Sequence, residues 1–376
     1  MKSLKIEINP GQIEDLKSRL LQTRWPDEIE DSSWEYGTNL AYLKELCNYW
    51  GNDFSWPEQE KILNQFDHFK TEEEDINLHF IYQKGKGTKN LPILLIHGWP
   101  DSFYRFIKLI PLLTDPDENG VAFDVVIPSI PGFGFSDIPK EGGIGPEKIA
   151  GLFNKLMKKT LGYNNFAIHG GDWGASIAAQ MAMQGDNKIR ALHLTNIPPD
   201  LFFTANFAEF GEDEMAYLQT ADKWQKTEGA YLAVQGTKPQ TLAYGLNDSP
   251  AGLAGWIIEK FNSWSDNNGH IEHSFTKDEL LTNLSVYWFS QTAGSAARIY
   301  YETMHQPAIE RTVKIDTPTY FAIFPKDCIQ IPEAFGRRIF NTKSWKNMDR
   351  GGHFPALETP DLLAKDIRDA LSGLRS

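Results

Sequence analysis

The stretch NFAIHGGDWGASIAAQMAM (165–183) decides the fold. It opens on a short apolar run, NFAIHG, and closes on a helix-forming run, ASIAAQMAM. Between them stands Gly170-Gly171-Asp172-Trp173-Gly174. A residue placed between glycines where a strand meets a helix occupies a tight turn that lifts its side chain above the sheet, and larger residues beside it would collide. Ser is the usual occupant of such a turn. Asp changes the chemistry, because a carboxylate with an unperturbed pKa of about 3.9 is already ionised at neutral pH and needs no base to activate it. It suits attack on an alkyl carbon that carries a leaving group, such as a strained epoxide or a carbon–halogen bond. The alternative role for Asp172 is to cap the helix that follows it, since Asp is a favoured N-cap.

Further short apolar runs flank this one: LHFIY (78–82), PILLIH (92–97), FDVVIP (123–128) and ALHLTN (191–196), separated by helical stretches and Gly/Pro turns. Continuous apolar strands alternating with helices predict a mostly parallel sheet covered on both faces. Between about residues 200 and 310 the strands stop and helical periodicity dominates, as in AGLAGWIIEKFNSW (251–264) and LLTNLSVYWF (280–289). Strand patterns then resume at TYFAIFP (319–325) and SWKNM (344–348), before a final helix near 360–373. Residues 1–75 read as a mostly helical lead-in, with Ile13, Leu16, Leu20 and Leu21 at helical spacing. The chain is therefore expected to be an α/β protein with an α/β-hydrolase core. The expected division is a helical N-terminal extension (1–75), a first core segment (76–199), a helical lid (200–310) and a second core segment (311–376).

In this fold the chain order is nucleophile, acid, histidine, with the histidine on the loop after the last strand. Arg350-Gly351-Gly352-His353-Phe354 supplies that loop, and His353 stands alone among nine histidines in being late and loop-placed. Its partner should end the preceding strand, which gives Asp327 in FPKD (324–327). Asp327 would hold His353 in the tautomer whose Nε2 can take a proton from water. His97-Gly98-Trp99-Pro100 follows the strand PILLI, where the oxyanion loop belongs. The backbone amides of Trp99 and Trp173 are then the expected oxyanion donors, and a cis peptide is expected before Pro100. His97, His169, His193, His68 and His79 are expected to be structural. His270-Ile271-Glu272-His273 lacks the spacing of a zinc site.

Composition narrows the partners. The 37 Lys and Arg against 50 Asp and Glu give a net charge of −13, which argues against nucleic acid or an anionic membrane as partner. Two cysteines, Cys47 and Cys328, are too few for a disulfide framework. No leader-like segment and no run of about 18 apolar residues occurs, so a cytoplasmic location is expected.

The chain resembles the microsomal-type epoxide hydrolases along nearly its whole length. The lead-in carries LKSRLLQTRWPD (16–27), WEYG (34–37), YLKELCNYW (42–50) and FSWPEQEKILNQFDHF (54–69). The core carries HGWPDSF (97–103), IPSIPGFGFSD (127–137), GGDWG (170–174) and RGGHFPALETP (350–360), and the lid TKPQTLAYGLNDSPAGLAGWIIEKF (237–261). The resemblance implies a soluble member without a membrane anchor, acting on a small apolar epoxide and water with no cofactor and no metal. It also implies two lid tyrosines that protonate the epoxide oxygen, matched here by Tyr231 and by Tyr300 in ARIYYE, where Tyr301 stands adjacent as the alternative. Asp101 and His169 depart from the family pattern and are expected to touch no catalytic role. A haloalkane dehalogenase shares the fold and the Asp nucleophile and is the nearest rival. A catalytically silent ligand-binding member of the fold is the rival of another class.

Overall fold

The computed structural model describes residues 1–185, 188–198, 201, 210–306 and 314–374. Nine strands form one sheet: β1 (Lys2–Leu4), β2 (His68–Glu73), β3 (Ile76–Gln83), β4 (Lys89–Ile96), β5 (Val121–Pro128), β6 (Phe166–Gly170), β7 (Ile189–Leu194), β8 (Ile315–Ile323) and β9 (Phe340–Asn347). Their order across the sheet is β1-β2-β3-β5-β4-β6-β7-β8-β9. From β5 to β9 neighbouring strands run parallel, and β1, β2 and β3 add an antiparallel edge. The central strands are buried almost throughout, and helices Trp173–Met183 and Pro360–Leu371 pack against them. That coverage is why these strands read as unbroken apolar runs rather than alternating ones.

The lead-in is not purely helical. Its helices Pro10–Leu21, Leu40–Asn52 and Trp56–Leu63 lie where periodicity places them, but β1 and β2 also belong to residues 1–75. β2 reads HFKTEE, four of its six residues polar or charged after the opening His-Phe, and it gains strand structure only by pairing with β3. Three-residue β1 carries too little pattern to be seen alone. The expected segment boundaries at 199/200 and 310/311 lie outside the described residues.

The buried histidines are absorbed by the framework. His68 Nδ1 meets His79 Nε2 at 2.9 Å, and His79 Nδ1 meets Ser129 Oγ at 2.8 Å. His169 and His193 meet at 2.9 Å, and His193 reaches Asp366 at 3.1 Å. Burial holds His68, His79 and His169 below the usual imidazole range, so each serves as a neutral hydrogen-bonding group. No helix among the described residues is long and apolar enough to cross a membrane.

The helices between β7 and β8 and the N-terminal helices are joined directly. Helices Pro250–Ser263 and Lys277–Ser290 receive Thr38 Oγ1 on the Gly255 carbonyl at 2.6 Å and Tyr49 OH on Asp278 at 2.9 Å. Trp50, 1% exposed, donates its indole N–H to Ser285 Oγ at 3.0 Å. Trp50→Ala is expected to cost about 3–5 kcal/mol, the usual loss for a large buried ring. It would appear as a lower urea midpoint at unchanged slope, and Trp50→Phe should recover most of it.

Candidate active site

Asp172 leaves β6 with φ 55° and ψ −131° and stands at the N-cap of helix Trp173–Met183, yet its side chain makes no capping bond. The capping reading is thereby set aside. Its backbone N–H donates to Asn196 Oδ1 at 2.9 Å, just beyond β7. The carboxylate instead points to the loop after β4, where the Trp99 N–H donates to Asp172 Oδ1 at 2.8 Å and the Trp173 N–H adds a second backbone bond. Two glycines make this approach feasible. A Cβ on Gly174 would sit 2.0 Å from the Ile96 carbonyl oxygen, and one on Gly98 would sit 2.2 Å from Asp172 Oδ1. The peptide between Trp99 and Pro100 is cis. His97 is fully buried, and its Nε2 accepts the Ile130 N–H at 3.1 Å. Burial pushes His97 down to about 3, which suits an acceptor.

His353 lies on the loop after β9, its Nδ1 2.6 Å from Asp327 Oδ1 and its Nε2 3.5 Å from Asp172 Oδ2. Asp327 is fixed in turn by the Cys328 N–H at 2.7 Å. Cys328 Sγ lies 3.7 Å from His353 Nδ1, so Asp327, Cys328 and His353 gather metal-ligand atoms within 4.8 Å. Burial pushes the Cys328 thiol up to about 12, which keeps it a neutral thiol rather than a thiolate ligand. The 2.6 Å imidazole–carboxylate contact is that of a charge-assisted hydrogen bond.

Burial alone would push the Asp172 carboxyl up, but hydrogen bonding and charge from His353 and the two tryptophan amides leave it below the usual range. For His353 burial acts downward, and it is outweighed by the carboxylates of Asp327 and Asp172, which leave the imidazole well above its usual range, while the neutral Cys328 thiol adds no charge. The pairing favours the charged form of each partner.

The lid brings two phenols over this pair. Tyr231 stacks on Trp99 at 5.1 Å with the rings 7° from parallel, and Tyr300 stands edge-on to Trp173 at 4.8 Å and to Trp99 at 5.8 Å. The two tyrosine rings are 5.8 Å apart, and both are buried. Burial holds both hydroxyls well above the usual phenol range, so they stay protonated. Tyr301 faces away, 37% exposed and stacked on His305 at 3.9 Å. The arrangement offers a nucleophile, a base with its acid partner, two backbone donors at the nucleophile and two O–H donors opposite.

Several contributors carried no sequence signal. The Trp264 carbonyl accepts the His353 N–H at 2.7 Å, and the Trp264 ring lies edge-on to the imidazole at 5.3 Å. Glu358 accepts the backbone N–H groups of Asp266, Gly352 and Phe354 at 2.8, 3.0 and 2.8 Å, while burial pushes its carboxyl up to about 7. Lys260, 5% exposed, sets its ammonium 5.0 Å from the Tyr231 ring centre. Asp101 is expected to touch no catalytic role. It is buried in the loop that carries Trp99, its Oδ1 accepting the Gly98 N–H at 2.9 Å. The Asp-x-x-x-Arg spacing of Asp101 and Arg105 is the one signal that could have shown it, since a buried carboxylate needs a cation nearby.

Comparison with known proteins bears on the family and the fold. Residues 1–106 match the family model described as epoxide hydrolase N terminus, and residues 92–241 match the alpha/beta hydrolase fold. Epoxide hydrolase 1 of Sus scrofa is 38% identical over 399 residues, covering 98% of this chain and 88% of the pig protein. The solved structure of juvenile hormone epoxide hydrolase from the silkworm Bombyx mori superposes with a TM-score of 0.88 at 30% identity, covering 100% of this chain and 94% of the silkworm chain. The Aspergillus niger epoxide hydrolase gives a TM-score of 0.85 at 27% identity, covering 99% and 96%. With an α/β-hydrolase core, a full-length match at these identities and an aspartate on its elbow, the chain belongs to the epoxide hydrolase family.

Proposed function

We propose that this protein converts an apolar epoxide and water to a vicinal diol through a covalent ester on Asp172. The observation that carries the reading is the Asp172 carboxylate, held between the Trp99 amide and His353 Nε2 beneath two buried phenols. Asp172 attacks an epoxide carbon, and the carbon–oxygen bond breaks. One of Tyr231 and Tyr300 gives its proton to the departing oxygen while the other hydrogen-bonds to it. A phenol suits this step because it is protonated at neutral pH and far more acidic than an alcohol.

In the second step His353 removes a proton from water, and the hydroxide attacks the ester carbonyl. The amides of Trp99 and Trp173 hold the oxyanion. On collapse the diol oxygen leaves with the proton from His353, and the proton shed by the restored Asp172 carboxyl replaces the one lost from tyrosine. Trp99, Trp173, Tyr231, Tyr300 and Trp264 form an aromatic wall around the reacting groups, which supports an apolar substrate.

His353→Gln should stop the reaction at the ester, seen as a mass gain equal to that of the epoxide; an unmodified variant after exposure to a good substrate would refute the covalent route. Tyr300→Phe should slow ester formation by about 100-fold or more, the usual contribution of a general acid, and Tyr301→Phe should leave it near wild type. The pH response should separate the steps. Alkylation removes the Asp172 charge that holds His353 above its usual range, so the imidazole loses its proton more readily in the ester. Ester formation needs ionised Asp172, whose lowered pKa keeps it available as pH falls. Ester breakdown needs neutral His353 and should fall about tenfold per pH unit on the acid side. Rapid-quench measurement of both steps from pH 5 to 9 reads this directly, and parallel pH profiles for the two would contradict it.

A further inference from the structure

We propose that the buried Asp101–Arg105 ion pair is a positioning couple that holds the oxyanion amide and the base in register for ester hydrolysis. The inference rests on the covalent route proposed above. Arg105 lies on the single turn Phe103–Phe106, and its side chain and that of Asp101 are 3% and 1% exposed. Arg105 Nη1 lies 2.5 Å from Asp101 Oδ2, and Nη2 donates to the His353 carbonyl at 2.8 Å. The other Asp101 oxygen accepts the Gly98 N–H at 2.9 Å, one residue before the Trp99 amide that meets Asp172. One guanidinium therefore ties the loop after β4 to the loop after β9. It passes under the elbow on the way, since a Cβ on Gly171 would lie 3.8 Å from Arg105 Nη2.

The rest of the loop is braced from the lid, where Tyr287 OH donates to the Asp101 carbonyl at 2.7 Å and Asn283 Nδ2 to the Pro100 carbonyl at 2.9 Å. Hydrogen bonds of this kind could serve folding alone. What singles out the ion pair is which groups it joins. Ester formation needs the Asp172 carboxylate aimed, and besides Trp99 and His353 the Trp173 amide and Asn196 hold it, neither of them on the loops that the pair joins. Ester breakdown needs the Trp99 amide and His353 in register with each other, and these ride on the two loops that Arg105 connects. A planar fork can serve two acceptors at once, whereas a lysine ammonium reaching from the same place loses one of them.

The test compares Asp101→Asn/Arg105→Met, which removes both charges and leaves no lone buried ion, with Arg105→Lys. Replacing a buried ion pair with uncharged residues is often tolerated by the fold. Ester formation and breakdown are followed by rapid quench, with rates expressed per site that forms ester, so an unfolded fraction drops out. The expected result is ester formation within about threefold of wild type and breakdown slowed by about 10- to 100-fold in the double variant, the scale of a misplacement near 1 Å. Arg105→Lys should fall between the double variant and wild type, and ester should accumulate during turnover in both. Breakdown near the wild-type rate, equal slowing of both steps, or no ester in either variant would each overturn the proposal. His353→Gln run in parallel tells the two readings apart. If it traps no ester the covalent route fails, and if it traps ester while the pair variants accumulate none, only the positioning role fails.

Discussion

The candidate active site depends on holding one non-glycine residue in a left-handed backbone conformation. Asp172 at φ 55° sits in a region that costs about 1–3 kcal/mol for a residue with a Cβ, and such a cost persists only where the surroundings over-determine it. Here they do. The helix after Asp172 begins so close to the end of β4 that only glycine fits at 174, and Asn196 takes the Asp172 backbone N–H. The strain has a chemical return. It turns the carboxylate away from the helix it would otherwise cap and toward the amide of Trp99.

That orientation places two acids and one imidazole in a buried line, with Asp172 and Asp327 on either side of His353. Burial by itself would neutralise Asp172 and His353, because a lone charge is costly away from water. Mutual pairing reverses this and leaves Asp172 ionised and His353 protonated. On the route proposed above, an ester on Asp172 would take away the charge that holds His353 above its usual range.

Much of this was legible before any coordinates. The five central parallel strands between residues 89 and 323 appear as apolar runs because both their faces are covered, and Asp172, Asp327 and His353 are marked by turn glycines, strand ends and chain order. Where legibility failed, the reason was that the deciding partner is distant in sequence. β2 is a strand because β3 lies beside it. Tyr300 and Tyr301 are indistinguishable in the string ARIYYE, and only the packing of their helix against Trp99 and Trp173 turns one inward and the other to solvent. Glu358 and Trp264 act on the base loop through backbone groups, which leave no side-chain pattern to recognise. The burial of Asp101 leaves no pattern for the same reason, since its partners are a peptide N–H and a cation four residues on.

The stitching between the lid and the base loop has a consequence for how molecules enter and leave. His353 N–H is held by the Trp264 carbonyl, Gly351 N–H by Asp266, and Glu358 binds both segments through backbone N–H groups. Swinging residues 264–266 outward would drag the imidazole off its station. That flank is tied to the base loop, whereas helices Glu212–Thr227 and Ala230–Thr237 make no backbone hydrogen bond to it among the described residues, so on the proposed route passage beside them would leave the imidazole in place.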